Sequence, residues 1–376
     1  MKIVHVISGL DIGGAEIFLE QLITFWPNKH DEHVVISFKG GAIAERLRAQ
    51  HILVYEVGPK ESWPHVFFAQ CAWRTWHLLK TLKPDVVLSS LWSANILART
   101  FCFVLGVPLI SVLHNKASFL NPVKRFLDAF TAACFLHNRV AVAYGVAKSY
   151  EDYPLLGGLA APIRVIENGV DVDGLCARVA LYKPERSKAF VFGVVGRFIP
   201  EKRILFLLLS FNRAIQELRA HGVWEADLPQ LCVVGDGPDF HVVRERVAFL
   251  RLQNLVMLPG IQKDMASWYS CFSAYVSVSQ SEGLSLALLE ALAVGLPVIV
   301  SAQSGAAHFI PSPQDGVVID STDEAQVAAA FIKLFTNQEK YAARTEQRIE
   351  FIRERYSIVH TAQQYERLIE SVLSKN

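Results

Sequence analysis

Two carboxylates, Glu282 and Glu290, flank the start of a predicted helix that follows an apolar strand at 274–279. Backbone N–H groups near Ser285 and Leu286 are the unpaired donors of its first turn. Glu290 lies about five residues further, roughly 7 Å along the axis at 1.5 Å per residue, and its side chain leans back toward the amino terminus. A ligand would therefore meet a carboxylate, a helix amino terminus and a second carboxylate, an order that suits a sugar, a diphosphate and a ribose.

Glu290 interrupts the apolar run 286–293. Burying a carboxylate there is costly unless the group is hydrogen-bonded, and the hydroxyls of a ligand would provide such bonds. A buried glutamate paired with a neighbouring cation is the alternative, and the sequence leaves it open.

Two cations, Arg197 and Lys202, follow Gly196 just past the carboxyl end of a strand predicted at 190–195. Open α/β sheets bind ligands at this edge. Arginine can grip phosphate oxygens with two hydrogen bonds, and lysine adds a point charge. The alternative is two surface cations at a helix start, but cations there oppose the helix dipole, so a bound anion explains them better.

A glycine pair, Gly13 and Gly14, lies in the loop between the first predicted strand and the first helix. Glycines allow a ligand to approach the backbone closely, and the helix start offers N–H groups to an anion. The spacing is not G-x-G-x-x-G, so a simple tight turn remains the alternative.

The elements that must position these residues alternate between apolar strands and amphipathic helices. This pattern predicts parallel sheets covered on both faces, and a chain of 376 residues favours two domains. The alternation restarts after a polar stretch, 171–188, which we interpret as a linker. We therefore predict an α/β fold with two Rossmann-like, doubly wound domains, 1–175 and 186–355, and a carboxyl-terminal helix, 356–376, packing back on the first domain. The predicted strands are 2–7, 33–37, 85–89, 109–113 and 139–143, then 190–195, 230–234, 254–258, 274–279, 297–301 and 316–319.

These motifs resemble those of the retaining glycosyltransferases of family 4, whose GT-B fold has two Rossmann-like domains facing a cleft. The family pattern E-x7-E is matched by Glu282 and Glu290. It lies within S-E-G-x-x-x-x-L-L-E-A at 281–291. Other matches are G-R-x-x-x-x-K at 196–202, G-G-A-E at 13–16, V-I-x-N-G-V-D at 165–171 and V-G-x-G-P at 234–238. The resemblance spans nearly the whole chain.

The resemblance implies an enzyme that moves a sugar from a nucleotide-sugar to an acceptor hydroxyl, retains the anomeric configuration and needs no metal or other cofactor. It implies that Arg197 and Lys202 hold the donor diphosphate, that Glu282 contacts the donor sugar and that Glu290 binds the ribose. His114, which ends the strand 109–113, would lie near the reacting sugar. The implied donor-binding residues also include Gly13, Gly14, Gly196, Gly283, Leu284, Ser285 and Leu286.

The resemblance also implies a biological setting, the synthesis of a bacterial-type cell-surface glycan such as lipopolysaccharide, capsule or glycolipid, with a glycan or lipid-linked acceptor. The chain departs from the family in two places. At 304–310 the family usually has G-G-x-P-E-x-I, and this chain has neither the Pro nor the Glu; at position 203 the family usually has Gly, and this chain has Arg203. These departures predict a donor-side loop of different shape. They leave the donor and the role of His308 open.

These motifs also have four alternative interpretations. A nucleotide-sugar epimerase of the same fold and a non-catalytic sugar-nucleotide-binding protein both stay open. Asp171 and Asp173 form D-x-D, which binds a metal in the other major glycosyltransferase fold, but they fall in the predicted linker. The segment 283–287 resembles a hydrolase nucleophile elbow, yet a hydrolase would leave the two cations and Glu290 unexplained.

Charge is unevenly distributed along the chain. The net charge of +1 lacks the basic excess typical of nucleic-acid binding, so we expect no nucleic-acid partner. Residues 61–150 nevertheless hold nine basic and three acidic side chains, 9 − 3 = +6. Cationic and aromatic residues are interleaved there, which suits contact with an anionic membrane surface through 61–130. The alternative is a solvated face over core aromatics.

The sequence favours a cytoplasmic location, either free or peripheral on the inner face of the cytoplasmic membrane. Its six cysteines include no C-x-x-C pair, and the first residues lack a signal-peptide pattern. The longest apolar runs, 101–113 and 286–301, are interrupted and do not reach the ~20 residues of a membrane span.

Overall fold

The computed structural model describes residues 1–59, 64–135, 137–152, 162–182, 189–320 and 322–374. The chain forms two compact units. The first comprises Met1–Gly169 together with Ile358–Asn376, and the second comprises Val170–Ser357. The division after Gly169 lies upstream of the limit at 175 that the sequence suggested.

The first unit is built on a parallel sheet with seven strands in the described ranges, in the order β3-β2-β1-β4-β5-β6-β7. Its strands are β1 Lys2–Ile7, β2 Glu32–Ser37, β3 Leu53–Glu56, β4 Val86–Ser90, β5 Leu109–Leu113, β6 Asn138–Ala141 and β7 Ile163–Val165. Its helices are α1 Gly14–Thr24, α2 Ala42–Ala49, α3 Pro64–Leu82, α4 Trp92–Leu105, α5 Pro122–Cys134 and α6 Tyr144–Glu151, with the carboxyl-terminal α15 Ile358–Leu373.

The second unit has a parallel sheet of six described strands in the order β10-β9-β8-β11-β12-β13. The strands are β8 Val191–Val195, β9 Gln230–Val234, β10 Val256–Gly260, β11 Ala274–Ser277, β12 Val298–Ser301 and β13 Gly316–Ile319. The helices are α7 Val172–Leu181, α8 Ile204–Ala220, α9 Phe240–Phe249, α10 Met265–Cys271, α11 Leu286–Ala293, α12 Glu324–Thr336, α13 Gln338–Ala342 and α14 Thr345–Arg355. Two parallel, helix-covered sheets confirm the predicted fold class.

Burial explains which strands the sequence revealed. Strands β1, β4 and β5 are almost wholly buried, as expected for near-continuous apolar runs in a parallel sheet. The sequence prediction missed β3 and β7. Both are short edge strands with mostly exposed side chains, so no apolar pattern marks them.

The polar stretch interpreted as a linker is partly a helix of the second unit. Asp171 caps α7, because its carboxylate accepts a hydrogen bond from the backbone N–H of Gly174 at 2.9 Å. Further along α7, the Cys176 thiol donates to the carbonyl of Ala293 at 3.2 Å, which ties the helix to α11. Residues 183–188 of the predicted linker lie outside the described residues.

The carboxyl-terminal helix α15 belongs to the first unit and packs against α1. The rings of Phe18 and Tyr365 meet with centroids 5.9 Å apart, and both side chains are buried. The Thr361 hydroxyl donates a hydrogen bond to the carbonyl of Glu167 at 3.0 Å.

The first unit contains a buried pair of histidines. His5 and His33 stack with ring centroids 5.3 Å apart and share a hydrogen bond of 2.9 Å. Burial lowers the pKa of His33 to about 4 and that of His5 well below its ordinary value. Between pH ~6.5 and the folded-state pKa, the unfolded chain therefore binds protons that the folded chain does not. The free energy of unfolding consequently decreases as the pH is lowered through this range.

We expect His33→Asn to weaken this pH dependence. A shift from about 6.5 to about 4 corresponds to roughly 3 kcal/mol of unfolding free energy for one group. The urea-unfolding midpoint of the wild type should drop between pH 7 and pH 4.5, and that of the variant should drop less. His30→Asn, at an exposed histidine, should follow the wild type. Equal pH slopes for all three proteins would contradict the assignment.

Candidate functional site

The main group of predicted site residues lies at the carboxyl edge of the second sheet. Strands β8 and β11 are neighbours, so the loops that follow them emerge side by side. The first loop contains Gly196, Arg197 and Lys202, and the second contains Glu282. The Lys202 Nζ atom lies 2.8 Å from Oε1 of Glu282, and both side chains are largely buried. The fold thus joins two residues that are eighty positions apart in the sequence.

Glu282 is surrounded by polar side chains that favour its ionised form. Burial raises the pKa of its carboxyl, but the Lys202 ammonium and hydrogen bonds from the Ser277 and Ser279 hydroxyls outweigh burial and hold it below the ordinary value. The Ser277 hydroxyl donates to Oε1 at 3.1 Å. Ser277 and Ser279 were not singled out in the sequence. Their position at the end of a strand that points toward Glu282 is the signal that could have identified them.

Glycines let the loops at this edge approach one another. A Cβ atom on Gly235, which follows β9, would lie 1.9 Å from the carbonyl oxygen of Gly196, and Gly235 has a φ of +135°. A Cβ atom on Gly196 itself would lie 3.3 Å from Cε of Lys202. The close backbone approach therefore depends on Gly235, whereas a side chain on Gly196 would only crowd the end of Lys202.

Arg197 is exposed and lies in the same loop as Lys202. Its loop is anchored by Phe198, whose ring is buried and whose backbone N–H donates to the carbonyl of Asp236 at 2.9 Å. Within the described ranges, the structure records no hydrogen bond or ion pair for the Arg197 guanidinium. The group is available to an anionic ligand at the same sheet edge.

Helix α11 begins directly after the Glu282 loop. Ser285 caps it, with its hydroxyl accepting from the N–H of Leu288 at 3.4 Å, and Gly283 and Leu284 connect the cap to Glu282. Leu286 is the first residue of the helix. The predicted order of carboxylate, helix start and second carboxylate is therefore present along this segment.

Glu290 lies on α11 and meets a phenol. The Tyr269 hydroxyl donates to Oε2 of Glu290 at 2.7 Å. Burial raises the pKa of Glu290, and the Tyr269 hydrogen bond and the field of Arg178 oppose this rise. Among the described residues, no ion pair to Glu290 is formed, so the alternative of a glutamate bound directly to a cation is not what the structure shows.

The loop after β12 lies at the same edge, because β12 is the other neighbour of β11. Gly305 has a φ of +78°, and a short 3₁₀ turn follows it at Ala306–Phe309. His308 is exposed, with its ring centroid 3.7 Å from that of Phe309, whereas Phe309 is buried against Tyr356. This packing anchors the atypical loop 304–310 without a proline.

The remaining predicted residues lie in the first unit, at the carboxyl edge of its own sheet. His114 follows β5, and its Nε2 atom is 3.3 Å from the Ser90 hydroxyl at the end of β4. Burial lowers the pKa of His114 to about 4, so the imidazole is neutral at pH 7. The ring packs edge-on against Phe18 of α1, the helix that Gly13 and Gly14 begin.

The pattern Asp171-Val172-Asp173 is occupied by structural contacts. Asp171 caps α7 and lies 3.6 Å from Arg178, and Asp173 forms an ion pair with Arg353 at 3.1 Å. In the part of the chain that the structure describes, no group of three or more His, Cys, Asp or Glu side chains could hold a metal ion. Over those same residues, every helix is too short or too polar to cross a bilayer.

Two protein families match the chain. Residues 12–173 match the family described as Glycosyltransferase Family 4, and residues 182–351 match Glycosyl transferases group 1. Together the two matches cover both structural units.

The chain is also similar to curated glycosyltransferases and to solved structures. The chain is 27% identical over 279 residues to an Escherichia coli UDP-Gal:alpha-D-GlcNAc-diphosphoundecaprenol alpha-1,3-galactosyltransferase, covering 68% of each chain. It is 23% identical to the lipopolysaccharide core biosynthesis glycosyltransferase LpsD of Rhizobium meliloti, covering 89% of this chain and 88% of LpsD. Anabaena Alr3699/HepE in complex with UDP-glucose superposes with a TM-score of 0.83 at 19% identity over the full length of both chains. The chain therefore belongs to the glycosyltransferases of the GT-B fold. Its first unit carries the match to Glycosyltransferase Family 4, and its second unit carries the match to Glycosyl transferases group 1.

Proposed function

We propose that this glycosyltransferase transfers a sugar from a nucleoside diphosphate to an acceptor hydroxyl with retention of the anomeric configuration. The observation that supports this most directly is the partly buried ion pair of Lys202 and Glu282 just before the start of α11. Cations and a helix amino terminus suit a diphosphate, and the two carboxylates suit the hydroxyls on either side of it. Lys202 and Arg197 then hold the diphosphate, Glu282 the sugar and Glu290 the ribose.

The chemistry we propose needs little from the side chains beyond position and charge. The bond from the sugar's anomeric carbon to the diphosphate oxygen breaks while the acceptor oxygen bonds to that carbon on the same face. The acceptor proton passes to the leaving phosphate oxygen. Lys202 and Arg197 stabilise the charge that develops on the leaving diphosphate. The neutral His114 would orient the reacting sugar by hydrogen bonding, at the edge of the first unit.

The names of the relatives suggest which substrates to test. The Escherichia coli relative is named for UDP-Gal, and solved complexes of Anabaena Alr3699/HepE contain UDP, glucose or UDP-glucose. We therefore propose a uridine diphosphate sugar as donor. The relatives from lipopolysaccharide and diphosphoundecaprenol chemistry support a glycan or lipid-linked acceptor in bacterial cell-surface glycan synthesis.

Product analysis with labelled UDP-sugars tests this function. A transferase gives a labelled acceptor and free UDP, and NMR of the new linkage reads the anomeric configuration. An isomerised donor without acceptor labelling would establish the epimerase alternative, and binding without turnover would establish a non-catalytic protein. An inverted linkage would overturn the retaining mechanism alone.

Turnover should persist in excess EDTA. The proposed site stabilises the diphosphate with Lys202, Arg197 and the α11 amino terminus, which together can replace the charge of a divalent ion. Initial rates with and without a large molar excess of chelator over trace metal should agree within about twofold. Loss of turnover that Mn²⁺ restores would contradict metal independence.

We also propose that the first unit contacts an anionic membrane surface from the cytoplasmic side. Helix α5 supports this proposal, because the apolar side chains Val123, Phe126, Leu127 and Phe130 are all exposed. Their spacing of i, i+3, i+4 and i+7 places them on one face. An apolar stripe beside Lys124 suits the surface of an anionic bilayer, where the acyl chains accept apolar side chains and the headgroups attract a cation.

A further inference from the structure

Helix α10 supplies a side chain that hydrogen-bonds to Glu290. Tyr269 is only 1% exposed, and its hydroxyl donates to Oε2 of Glu290 at 2.7 Å. The same hydroxyl lies 3.3 Å from the carbonyl oxygen of Ala287, one turn earlier on α11. The phenol is thus seated against the helix that bears Glu290, and it selects one of the two carboxylate oxygens.

In this hydrogen bond the Tyr269 hydroxyl is the donor and Oε2 of Glu290 is the acceptor. Burial raises the pKa of Tyr269 well above its ordinary value, and the nearby Glu290 charge raises it further. The phenol therefore keeps its proton and acts as the donor, and the carboxylate is the acceptor. A donated hydrogen bond to the anion opposes the effect of burial on Glu290 and favours the ionised carboxylate.

The second carboxylate oxygen of Glu290 is left for another partner. Among the described residues, Oε1 has no hydrogen bond, and it does not belong to the buried unpartnered polar atoms. The side chain as a whole is half-buried. One oxygen is therefore held from inside the protein, while the other remains open to a hydroxyl group from outside.

We propose that Tyr269 is a positioning residue for the donor ribose, acting through Glu290. By holding Oε2 it fixes the carboxylate plane and presents Oε1 to the vicinal hydroxyls of the nucleotide. This inference rests on the proposed function, in which Glu290 binds the ribose. It adds a residue from a different helix that touches no part of the ligand and yet determines how well the ribose is recognised.

A comparison of ribo- and dideoxyribonucleotides isolates this role. Calorimetry would give the Kd of the tightest binder among UDP, ADP and GDP and the Kd of its 2′,3′-dideoxy analogue for each protein. The wild type should prefer the ribonucleotide. Tyr269→Phe keeps the ring and removes the hydroxyl, and it should weaken ribonucleotide binding about tenfold while changing dideoxynucleotide binding little. In turnover assays the donor KM should rise and kcat should change little.

The matched control is Tyr341→Phe. Tyr341 is a buried tyrosine of α13 in the main core of the same unit. The tyrosine that hydrogen-bonds to Glu290 is Tyr269, so the Tyr341 variant removes a buried hydroxyl without removing that hydrogen bond. This variant should keep the wild-type preference. Since each preference is a ratio of two affinities on one preparation, it does not depend on the fraction of protein that is folded. Adding Tyr269→Phe to Glu290→Gln should cause no further change in preference.

The outcomes separate this inference from the proposed function. If Glu290→Gln abolishes the ribose preference and Tyr269→Phe leaves it intact, the positioning role is overturned and the ribose role of Glu290 stands. Equal weakening of both nucleotides by Tyr269→Phe also overturns it, because that result indicates a structural role only. If Glu290→Gln keeps the full preference, the ribose role of Glu290 fails, and the inference fails with it.

Discussion

Replacement of Lys202 by alanine is expected to lower kcat/KM by about 10²-fold or more, near the ~3 kcal/mol that one group stabilising a developing oxyanion contributes. The ammonium is held 2.8 Å from Glu282 at the carboxyl edge of the sheet, so it is already in place when the diphosphate arrives. Arg197→Ala should have a loss of similar size, because the exposed guanidinium can bind phosphate oxygens with two hydrogen bonds. Steady-state kinetics with the identified donor would measure both.

The Lys202 variant should also change the pH profile. With the ammonium gone, burial is the main influence left on Glu282, and its pKa should rise. The acid limb of kcat/KM should therefore move to higher pH in Lys202→Ala but not in Arg197→Ala. Lys340→Ala removes an exposed lysine of the same unit and should behave as the wild type. Near-normal turnover in both site variants would overturn the diphosphate assignment.

The sequence could predict the sheets because their central strands are buried on both faces. Strands such as β1 and β5 are apolar on both faces, so they form continuous apolar runs that are recognisable without knowledge of their neighbours. The edge strand β3 is mostly exposed and looks like ordinary loop. The sequence predicts a linker where α7 lies, because this helix is held by distant partners, such as the Ala293 carbonyl for Cys176, and lacks a strong local pattern.

The candidate site was predictable residue by residue but not contact by contact. Lys202 and Glu282 were identified because each follows a strand, where parallel sheets place ligands. Their contact depends on β8 and β11 being neighbours, and strand order is a non-local property that periodicity does not contain. Tyr269 gave no signal at all. It lies on a short helix, and only the packing of α10 on α11 brings its hydroxyl to Glu290.

Removal of the exposed aromatic side chains of α5 is expected to weaken binding to anionic vesicles by about 10²-fold. The inward face of this helix is polar and tightly held, because Asp128 is buried in an ion pair with Arg99 at 2.9 Å. The outward face is apolar, with Val123, Phe126 and Phe130 exposed by 68%, 45% and 49%. An apolar stripe that turns away from the core marks an interaction surface.

The variant Phe126→Ser with Phe130→Ser tests the apolar contribution. If each phenylalanine contributes about 1.5 kcal/mol on entering the lipid interface, the pair accounts for about 10²-fold in affinity. Sedimentation with vesicles of mixed anionic and neutral lipid would measure the partition coefficient. Phe249→Ser is the matched control, since Phe249 is an exposed phenylalanine of the second unit. It should pellet as the wild type does.

The charge contribution has its own test. Lys124 is exposed, and its ammonium lies 5.3 Å from the centre of the Trp92 ring, so the cation is held beside the apolar stripe. At about 1 kcal/mol for each unit of charge near an anionic surface, Lys124→Glu should lower the affinity by about tenfold or more. High salt should remove this difference, because charges are screened within ~8 Å at physiological ionic strength. A salt-independent loss would assign Lys124 to packing on Trp92 instead. A wild type that does not distinguish anionic from neutral vesicles would reject the anionic surface, and the α5 stripe would then require an uncharged partner.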